Sequence, residues 1–196
     1  MEKRKRNKAQ SRSLILQAGL AVFSERGYDA ATTKMIAARS GLNESLIQRY
    51  FKSKAGLLAA VNKMSMEAMM AQHFYPPQAT PEEEIFQFMK NRMEQDGKNL
   101  QFVRVVISRV LIDEKLRKEM PAPPKRFFLH ERLEAFKEQK LIDAAIDVTQ
   151  LAEMIMSQSF IVGMLESLMF RRSERDCLKR FRTFAGIVAI GIAPRS

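Results

Sequence analysis

The sequence has little of what marks a secreted, metal-binding or fibrous protein. Its 196 residues include one cysteine, two histidines, eight glycines, seven prolines and no tryptophan. The single Cys177 excludes an intramolecular disulfide and a cluster of cysteine metal ligands, which suits a reducing cytoplasm. Neither histidine has a second ligand at helical spacing, so we expect no metal. With 46% hydrophobic residues, the chain can bury a sizeable core, as soluble and mostly helical proteins do.

The sequence also lacks visible targeting and catalytic signals. The first residues are charged and no secretory signal is apparent, and the segment that we take as most apolar, residues 184–193, is shorter than the roughly 20 residues of a membrane helix. There is no phosphate-binding glycine loop and no nucleophile beside a base in a known motif. These absences predict a cytoplasmic protein that is not an enzyme and has no cofactor.

Positive charge is abundant and unevenly distributed. The net charge is +11, and residues 1–54 hold 12 lysines and arginines against 4 acidic residues, whereas residues 55–196 hold 21 against 18. Such asymmetry indicates an anionic partner at the N-terminal end, either nucleic acid or an acidic membrane surface. The basic run Lys3–Arg6 on its own could equally be a solvated tail.

Residues 32–54 carry the pattern of two short helices joined by a tight turn. Thr32 or Thr33 can cap the first helix, because a hydroxyl accepts a hydrogen bond from a free amide of the first turn. Gly41 suits the left-handed position that ends many helices, and Asn43 can cap the second helix. The pattern therefore predicts a helix-turn-helix.

The second of these helices has one apolar and one polar side. Leu42, Ile47 and Phe51 fall on the apolar side. The other side holds polar residues, namely Glu44, Ser45, Gln48 and Arg49. A short capped helix with a polar outer face has the shape that enters a DNA major groove.

Helical spacing continues through the rest of the chain, and no stretch shows sustained strand alternation. Ser53 can cap a long fourth helix, and Thr80-Pro81, Asp147 and Ser173 mark later helix starts. We predict an all-α protein of about nine helices. Residues 1–54 form a basic arm and a three-helix domain with the helix-turn-helix, and residues 55–196 form a larger, nearly neutral helical bundle. On the resemblance given below, we take the first as the DNA-binding domain and the second as the effector-binding and dimerisation domain.

The stretch from Ile15 to Leu58 combines several features in a fixed order, namely Phe23, Gly27-Tyr28, Thr32-Thr33, Ile36-Ala37, Gly41-Leu42, Leu46-Ile47, Tyr50-Phe51 and Ser53-Lys54-Ala55-Gly56-Leu57-Leu58. In residue type and spacing over about 45 positions, this stretch resembles the DNA-binding domain of TetR-family transcriptional regulators. The remaining residues show no family pattern beyond being helical.

The resemblance implies a homodimer that binds a palindromic DNA operator, most simply as a repressor, and that a small molecule in the C-terminal bundle releases. By position it implies that Thr33 contacts a phosphate and that Lys34 lies near a base or phosphate. It further implies a recognition face and a set of backbone contacts, formed respectively by Glu44, Ser45, Leu46, Gln48 and Arg49 and by Tyr50, Lys52 and Lys54.

Two residues of this face depart from what many relatives carry. Glu44 replaces a lysine or a neutral residue, and a carboxylate near phosphates is unfavourable unless it accepts from a cytosine amino group or pairs with Arg49 or Lys52. Gln48 replaces a tyrosine and can bind adenine through two hydrogen bonds, while Arg49 can bind guanine. Leu46 could pack on a thymine methyl. The departures leave the operator sequence open.

Two further predictions concern the C-terminal bundle. The chain has 13 methionines and 13 phenylalanines, and such flexible and aromatic side chains can line a pocket for a lipophilic effector, although a plain core is the alternative for each of them. The pocket candidates are Phe86, Met89, Phe102, Phe128 and Met154. Small and apolar residues of the last long helices fit a four-helix dimer interface or a core within one subunit, and they include Ile155, Val162, Gly163, Leu165, Ala185, Gly186 and Ala189.

Two other function classes stay open on the sequence alone. A basic helical protein could bind an anionic membrane surface through its N-terminal charges. A helical enzyme is the second alternative, and its weakness is the absence of a catalytic motif. Of the two histidines, His130 could line a pocket, although a partly exposed helix position is the simpler expectation.

Overall fold

The computed structural model describes residues 2–70, 75–120 and 127–194, and all regular structure in these ranges is helical. The all-α prediction is therefore confirmed. The helices are α1 (Glu2–Ala30), α2 (Thr33–Ser40), α3 (Ser45–Phe51), α4 (Lys54–Met70), α5 (Pro81–Lys98), α6 (Leu100–Ile112), α7 (Glu114–Glu119), α8 (Phe128–Glu138), α9 (Val148–Phe160), a π-helical segment (Ile161–Glu166), α10 (Ser167–Phe170) and α11 (Glu174–Ile192).

Most predicted helix ends are present. The Thr32 hydroxyl oxygen accepts from the amide of Met35 at 3.1 Å, and Gly41 ends α2 with a φ of 68°. The Ser53 hydroxyl oxygen accepts from the first turn of α4. Gly27 has a φ of 74°, which suits a residue without a Cβ, and it interrupts α1 after Arg26. One detail differs from the expectation of a solvated tail, because α1 already begins at Glu2 and the basic run is helical. Helix α6 ends before Asp113, which caps the separate helix α7.

The first compact unit contains α1 to α4 together with α6 and α7. Its core joins Ile15 and Phe23 of α1 to Leu57 of α4, and each of these side chains is fully buried. Helix α6 adds Phe102 and α7 adds Leu116, while the helix-turn-helix contributes Ile36, Ile47 and Phe51. Burial of these apolar surfaces is the main stabilising contribution to the unit.

The division into units differs from the predicted boundary after residue 54. Helix α4 packs with α1 because Leu57, Leu58 and Val61 are buried there, and a Cβ added to Gly19 of α1 would lie only 3.1 Å from Val61 Cγ2. The long fourth helix is therefore part of the first packing unit. The separate question of which helices carry effector binding stays a prediction.

The second compact unit contains α5, α8 to α11 and the π-helical segment. Its core is rich in aromatic and branched residues, among them Phe88, Phe127, Phe136 and Phe181. A buried ion pair joins two of its helices, because Arg132 Nη1 of α8 lies 2.8 Å from Glu84 Oε1 of α5. The same carboxylate accepts from the Tyr75 hydroxyl at 2.8 Å and from the Gln78 amide at 2.9 Å, so the buried charge is fully hydrogen-bonded.

The segment Val148–Phe170 is more apolar than we expected from the sequence. An 18-residue window of this 23-residue segment has a mean hydropathy of 1.2, and by length and composition the segment could cross a membrane, which we did not predict for any segment. A third of that window is buried within the structure. A single helix of this kind is weak evidence for a membrane, because a core or interface helix has the same composition.

Candidate nucleic-acid interface

The turn between α2 and α3 is held by the backbone. Gly41 has a left-handed backbone conformation, which is unstrained in glycine because glycine has no Cβ. Its amide donates to the carbonyl of Ala38 at 3.3 Å. The amide of Leu42 donates to the carbonyl of Ala37 at 3.2 Å. The Asn43 side chain then accepts from the amide of Ser45 at 2.8 Å, so the predicted cap of the second helix is present.

Helix α3 presents a polar face to solvent because its apolar face is anchored. Ile47 and Phe51 are buried in the core of the first unit, and Leu46 and Tyr50 are partly buried against it. The other predicted contact residues of this face are exposed, namely Glu44, Ser45, Gln48, Arg49 and Lys52, and Lys34 of α2 is exposed as well. The structure thus brings the predicted residues of α2 and α3 together on accessible surface.

Glu44 is hydrogen-bonded to Thr33 of α2. The Thr33 hydroxyl donates to Glu44 Oε1 at 2.6 Å, across eleven residues of sequence. From the sequence we left two favourable roles open for Glu44, accepting from a cytosine amino group or pairing with Arg49 or Lys52, and the resemblance implied that Thr33 contacts a phosphate. The hydrogen bond links the start of α2 to the start of α3 and gives the carboxylate a partner before any DNA is present.

Arg49 lies against the neighbouring tyrosine of α3. Its Nη2 donates to the Tyr50 hydroxyl oxygen at 2.9 Å, and its Cζ lies 4.9 Å from the centre of the Tyr50 ring. The interaction holds the guanidinium at the helix surface while other N–H groups of its planar fork are left for further acceptors.

Lys52 ends α3 in a conformation that is unusual for a side-chain-bearing residue. Its φ is 68° and its ψ is −40°, and the amide of Ser53 donates to the carbonyl of Phe51 at 2.8 Å across it. This three-residue turn is strained for residues other than glycine. It leaves the Lys52 side chain exposed at the end of the recognition helix.

Lys54 has a different role from the predicted contact with the DNA backbone. Its Nζ donates to the carbonyls of Tyr28 and Ala31, both at 2.9 Å, and to that of Asp29 at 3.4 Å. The ammonium also lies 4.4 Å from the centre of the Tyr28 ring. Since an ammonium has three donors, these contacts occupy it and make Lys54 a clamp on the end of α1.

A basic groove beside α3 contains residues that we did not predict from the sequence. It measures about 360 Å³, and its lining includes Arg12, Tyr50, Lys52 and Lys63 together with the acidic Glu119. The Arg12 guanidinium lies 5.2 Å from the centre of the Phe51 ring. Arg12 and Lys63 are distant in sequence from the helix-turn-helix, so only the packing of α1 and α4 shows that they extend its positive surface.

The five predicted pocket residues do not share one environment. Phe102 is 2% exposed in the core of the first unit, whereas Met89 and Phe128 belong to the core of the second, with Phe86 packed against it. Met154 is 66% exposed. The structure contradicts Phe102 and Met154 as lining residues of a pocket in the second unit, because helical periodicity does not specify which unit an apolar face packs into.

The predicted dimer residues are divided between core and surface. Ile155, Val162 and Ala185 are buried within the second unit. A Cβ added to Gly163 would lie 3.0 Å from Phe181 and 3.1 Å from Met93, so this glycine allows close packing inside the subunit. The interface prediction is therefore wrong for Ile155, Val162 and Ala185, whereas Gly163 is partly exposed and stays a prediction. Leu165, Gly186 and Ala189 are partly exposed and stay available for an interface.

Other apolar residues of the same helices are exposed instead. Ile161 of the π-helical segment is 44% exposed, and Ile187 and Ile190 of α11 are 65% and 81% exposed. Met154, Met169 and Phe170 are also exposed. The sequence contained this signal, because Ile187 and Ile190 lie three residues apart on one side of α11 and Ala185 lies on another.

The N-terminal part of the chain matches a known family. Residues 15–61 match the family model described as "Bacterial regulatory proteins, tetR family". The chain is also 39% identical over 59 residues to the uncharacterized HTH-type transcriptional regulator YvkB of Bacillus subtilis (strain 168). That match spans 30% of this chain and 27% of the relative's length.

Solved structures are similar over almost the whole chain. A Rhodococcus sp. protein assigned to the TetR-family transcriptional regulators superposes with a TM-score of 0.72 at 15% identity, covering 92% of this chain and 99% of that one. A protein of Syntrophomonas wolfei str. Goettingen with the same assignment has a TM-score of 0.68 at 16% identity, covering 93% and 96%. At such identities the similarity concerns the fold.

Proposed function

We propose that this chain, whose residues 15–61 match the tetR family of bacterial regulatory proteins, is a sequence-specific repressor that binds a palindromic operator as a homodimer and is released by a small lipophilic effector. The observation that carries this proposal is helix α3. It is anchored by Ile47 and Phe51 and presents Ser45, Gln48 and Arg49 on an exposed face.

In this proposal α3 enters the major groove. Gln48 and Arg49 bind base edges, since an amide matches adenine and a guanidinium matches guanine. Lys34, Tyr50 and Lys52 flank the helix and bind phosphates, and Arg12 and Lys63 of the basic groove add sequence-independent affinity.

Dimerisation would use the exposed apolar face of the second unit. Ile161, Ile187 and Ile190 supply apolar surface, and Leu165, Gly186 and Ala189 lie on the same helices. Two copies of this face would form a self-complementary interface between two helices of each subunit. The dimer would then hold two recognition helices at the spacing of successive major grooves, roughly 34–36 Å.

Release would follow from a shift in population. An effector that binds better to a dimer whose recognition helices are wrongly spaced lowers the fraction that fits the operator. The second unit offers an interior of phenylalanine and methionine side chains that can adapt to an apolar ligand, including Phe88, Met89 and Phe128.

The test starts from random-sequence DNA, from which the protein selects a consensus site, followed by mobility shifts on that site. We expect a palindrome, and we expect Arg49→Ala to lower operator affinity by about 5- to 150-fold, which corresponds to roughly 1–3 kcal/mol. Arg39→Ala is the matched control, because Arg39 is exposed on α2 and pairs with Glu25 at 2.7 Å. Binding that ignores sequence, salt and Arg49 would contradict the proposal.

A further inference from the structure

His130 is fully buried, although we expected a partly exposed position. It lies in the first turn of α8, and its neighbours Phe128, Leu129 and Leu133 are buried in the core of the second unit. The imidazole meets the ring of Phe127 edge-on, with 4.4 Å between ring centres. Buried polar groups are nearly always hydrogen-bonded, so each ring nitrogen of His130 is expected to have a partner.

One ring nitrogen has a clear structural role. His130 Nδ1 lies 3.1 Å from the amide nitrogen of Phe127, the residue that precedes α8. The Phe127 carbonyl already accepts from the backbone amide of His130 at 2.9 Å. His130 thus accepts from a free amide at the start of the helix, as a glutamate or glutamine does in a capping box.

Two contacts of Nδ1 bear on where the ring proton lies. Nδ1 lies 3.1 Å from the Phe127 amide nitrogen and 3.2 Å from the Phe127 carbonyl oxygen, so it can accept from the amide or donate to the carbonyl. The carbonyl already accepts from the His130 amide, whereas the Phe127 amide needs an acceptor, and this favours the tautomer with its hydrogen on Nε2. Nε2 is buried and has no hydrogen-bond partner among the residues that the structure describes, so in this tautomer it is an N–H donor without a partner in that part of the chain.

The Phe127 ring that meets the imidazole belongs to an aromatic cluster. The Phe127 ring stacks on Phe88 at 5.7 Å between centres, and Phe88 lies 5.6 Å from Phe128. Met89 is fully buried in the same core, and Phe86 and Met156 are partly buried against it. Phenylalanine and methionine side chains can rearrange around an apolar ligand, while a fixed donor orients its polar end.

We propose that His130 Nε2–H is the polar anchor of the effector, which is a neutral, largely apolar molecule with a hydrogen-bond acceptor such as a ketone, ester or amide carbonyl. This inference rests on the proposed ligand response. A neutral acceptor fits better than a carboxylate, because a neutral N–H in an apolar site leaves a buried anion without a counter-charge. The cations Arg132 and Arg182 are already paired with Glu84 and Glu83.

The test uses two matched pairs of probes with the full-length protein. Benzophenone and acetophenone carry the carbonyl acceptor, while diphenylmethane and ethylbenzene have similar shapes without it. Because the chain has two histidines, ¹⁵N-histidine labelling gives two imidazole spin systems, and His73→Gln assigns them. We expect the free protein to show the Nε2–H tautomer for His130, and we expect at least one ketone, but neither hydrocarbon, to shift its Nε2–H signal.

Two variants separate the cap from the anchor. In His130→Asn the side-chain oxygen can replace Nδ1 at the Phe127 amide, but no donor remains at the Nε2 position. His130→Gln carries an amide nitrogen near that position. We expect the responding ketone to bind His130→Asn at least tenfold more weakly than it binds the wild type. Its affinity for His130→Gln should stay within about threefold of the wild-type affinity. The hydrocarbons should bind all three proteins equally. If His130→Asn fails to fold, the wild-type spectra decide.

The inference is overturned if His130 has the Nδ1–H tautomer, if neither ketone shifts its signal, or if ketone affinity is equal in His130→Asn and the wild type. Operator mobility shifts with the same ketones test the proposed function separately. A ketone that binds at His130 without weakening operator binding supports the anchor and contradicts the ligand-release mechanism. A ketone that releases the operator without changing the His130 signal supports the ligand-release mechanism and contradicts the anchor.

Discussion

The Thr33 hydroxyl donates a 2.6 Å hydrogen bond to the carboxylate of Glu44, so the first turn of α2 is tied to the start of the recognition helix. This bond gives the unusual Glu44 a partner within the protein. It also directs the hydroxyl of Thr33 towards the carboxylate. The carboxylate therefore links α2 to α3, and its charge remains on the surface that would face DNA.

Replacing Glu44 by glutamine should strengthen DNA binding. The Glu44→Gln side chain still accepts from Thr33, but the negative charge is gone, and a unit charge near a phosphate at the surface contributes about 1 kcal/mol or less. We expect up to about fivefold tighter binding at low salt, measured by fluorescence anisotropy, with a smaller gain at high salt.

Glu114→Gln is the matched control for Glu44, since it makes the same charge change on the exposed surface of α7. An equal gain in both variants would mean that only net charge matters. A loss of affinity confined to the operator would show that Glu44 accepts from a base, and would contradict the structural role.

Lys52 and Lys54 should separate DNA contact from fold stability. Lys54→Met removes the donor to three carbonyls and should lower the free energy of unfolding by about 1–3 kcal/mol. Lys52→Met should leave stability nearly unchanged and reduce the slope of log K against log salt by about one. Thermal unfolding and salt titrations of DNA binding check both. The idea fails if Lys54→Met reduces the slope without loss of stability.

Two glycine substitutions should have opposite effects. A Cβ at Gly56 would lie 2.2 Å from the carbonyl oxygen of Phe51, so Gly56→Ala must displace the turn between α3 and α4. We expect Gly56→Ala to lower the free energy of unfolding by about 1–3 kcal/mol. Gly97 lies in α5 with nothing within 4 Å of an added Cβ, and Gly97→Ala should stabilise the protein by about 0.5–1 kcal/mol. Thermal melts of both variants test the pair.

The exposed face of α11 should control the oligomeric state. Ile187→Asp places a charge where Ile187 is 65% exposed in a single subunit, and we expect it to convert the proposed dimer to a monomer. Leu111→Asp is the control, because Leu111 of α6 is 72% exposed in the first unit. Sedimentation velocity at micromolar concentration measures both. A wild-type monomer, or a dimer that survives Ile187→Asp, would contradict this interface.

The ion pair between α5 and α11 should make a small pH-dependent contribution. The hydrogen bond from Arg182 lowers the pKa of Glu83 below its ordinary value. A lowered folded pKa means that the stabilisation is present above the unfolded pKa and is lost as pH falls through the folded pKa. Glu83→Gln should therefore lower the free energy of unfolding by less than about 1 kcal/mol at pH 7 and leave it unchanged near pH 2–3, as measured by urea unfolding. A pH-independent difference would contradict the assignment.

Local chemistry explains which features could be predicted from the sequence. The caps at Thr32 and Ser53 and the break at Gly27 depend on neighbouring residues, and each is present. The clamp at Lys54 joins residues 23 to 26 positions apart, and no local pattern contains that information. Periodicity identifies an apolar face but not its partner, which is why Phe102 was placed in the wrong unit.

The clamp at Lys54 also means that the chain enters and leaves residues 32–53 at almost the same point. Because Nζ of Lys54 binds the carbonyls of Tyr28 and Ala31, the helix-turn-helix is a loop closed at its base. A loop closed in this way keeps its two attachment points together, while Ile36, Ile47 and Phe51 hold it to the core. Substitutions on its exposed face therefore change the surface offered to DNA without rebuilding the helices that support it.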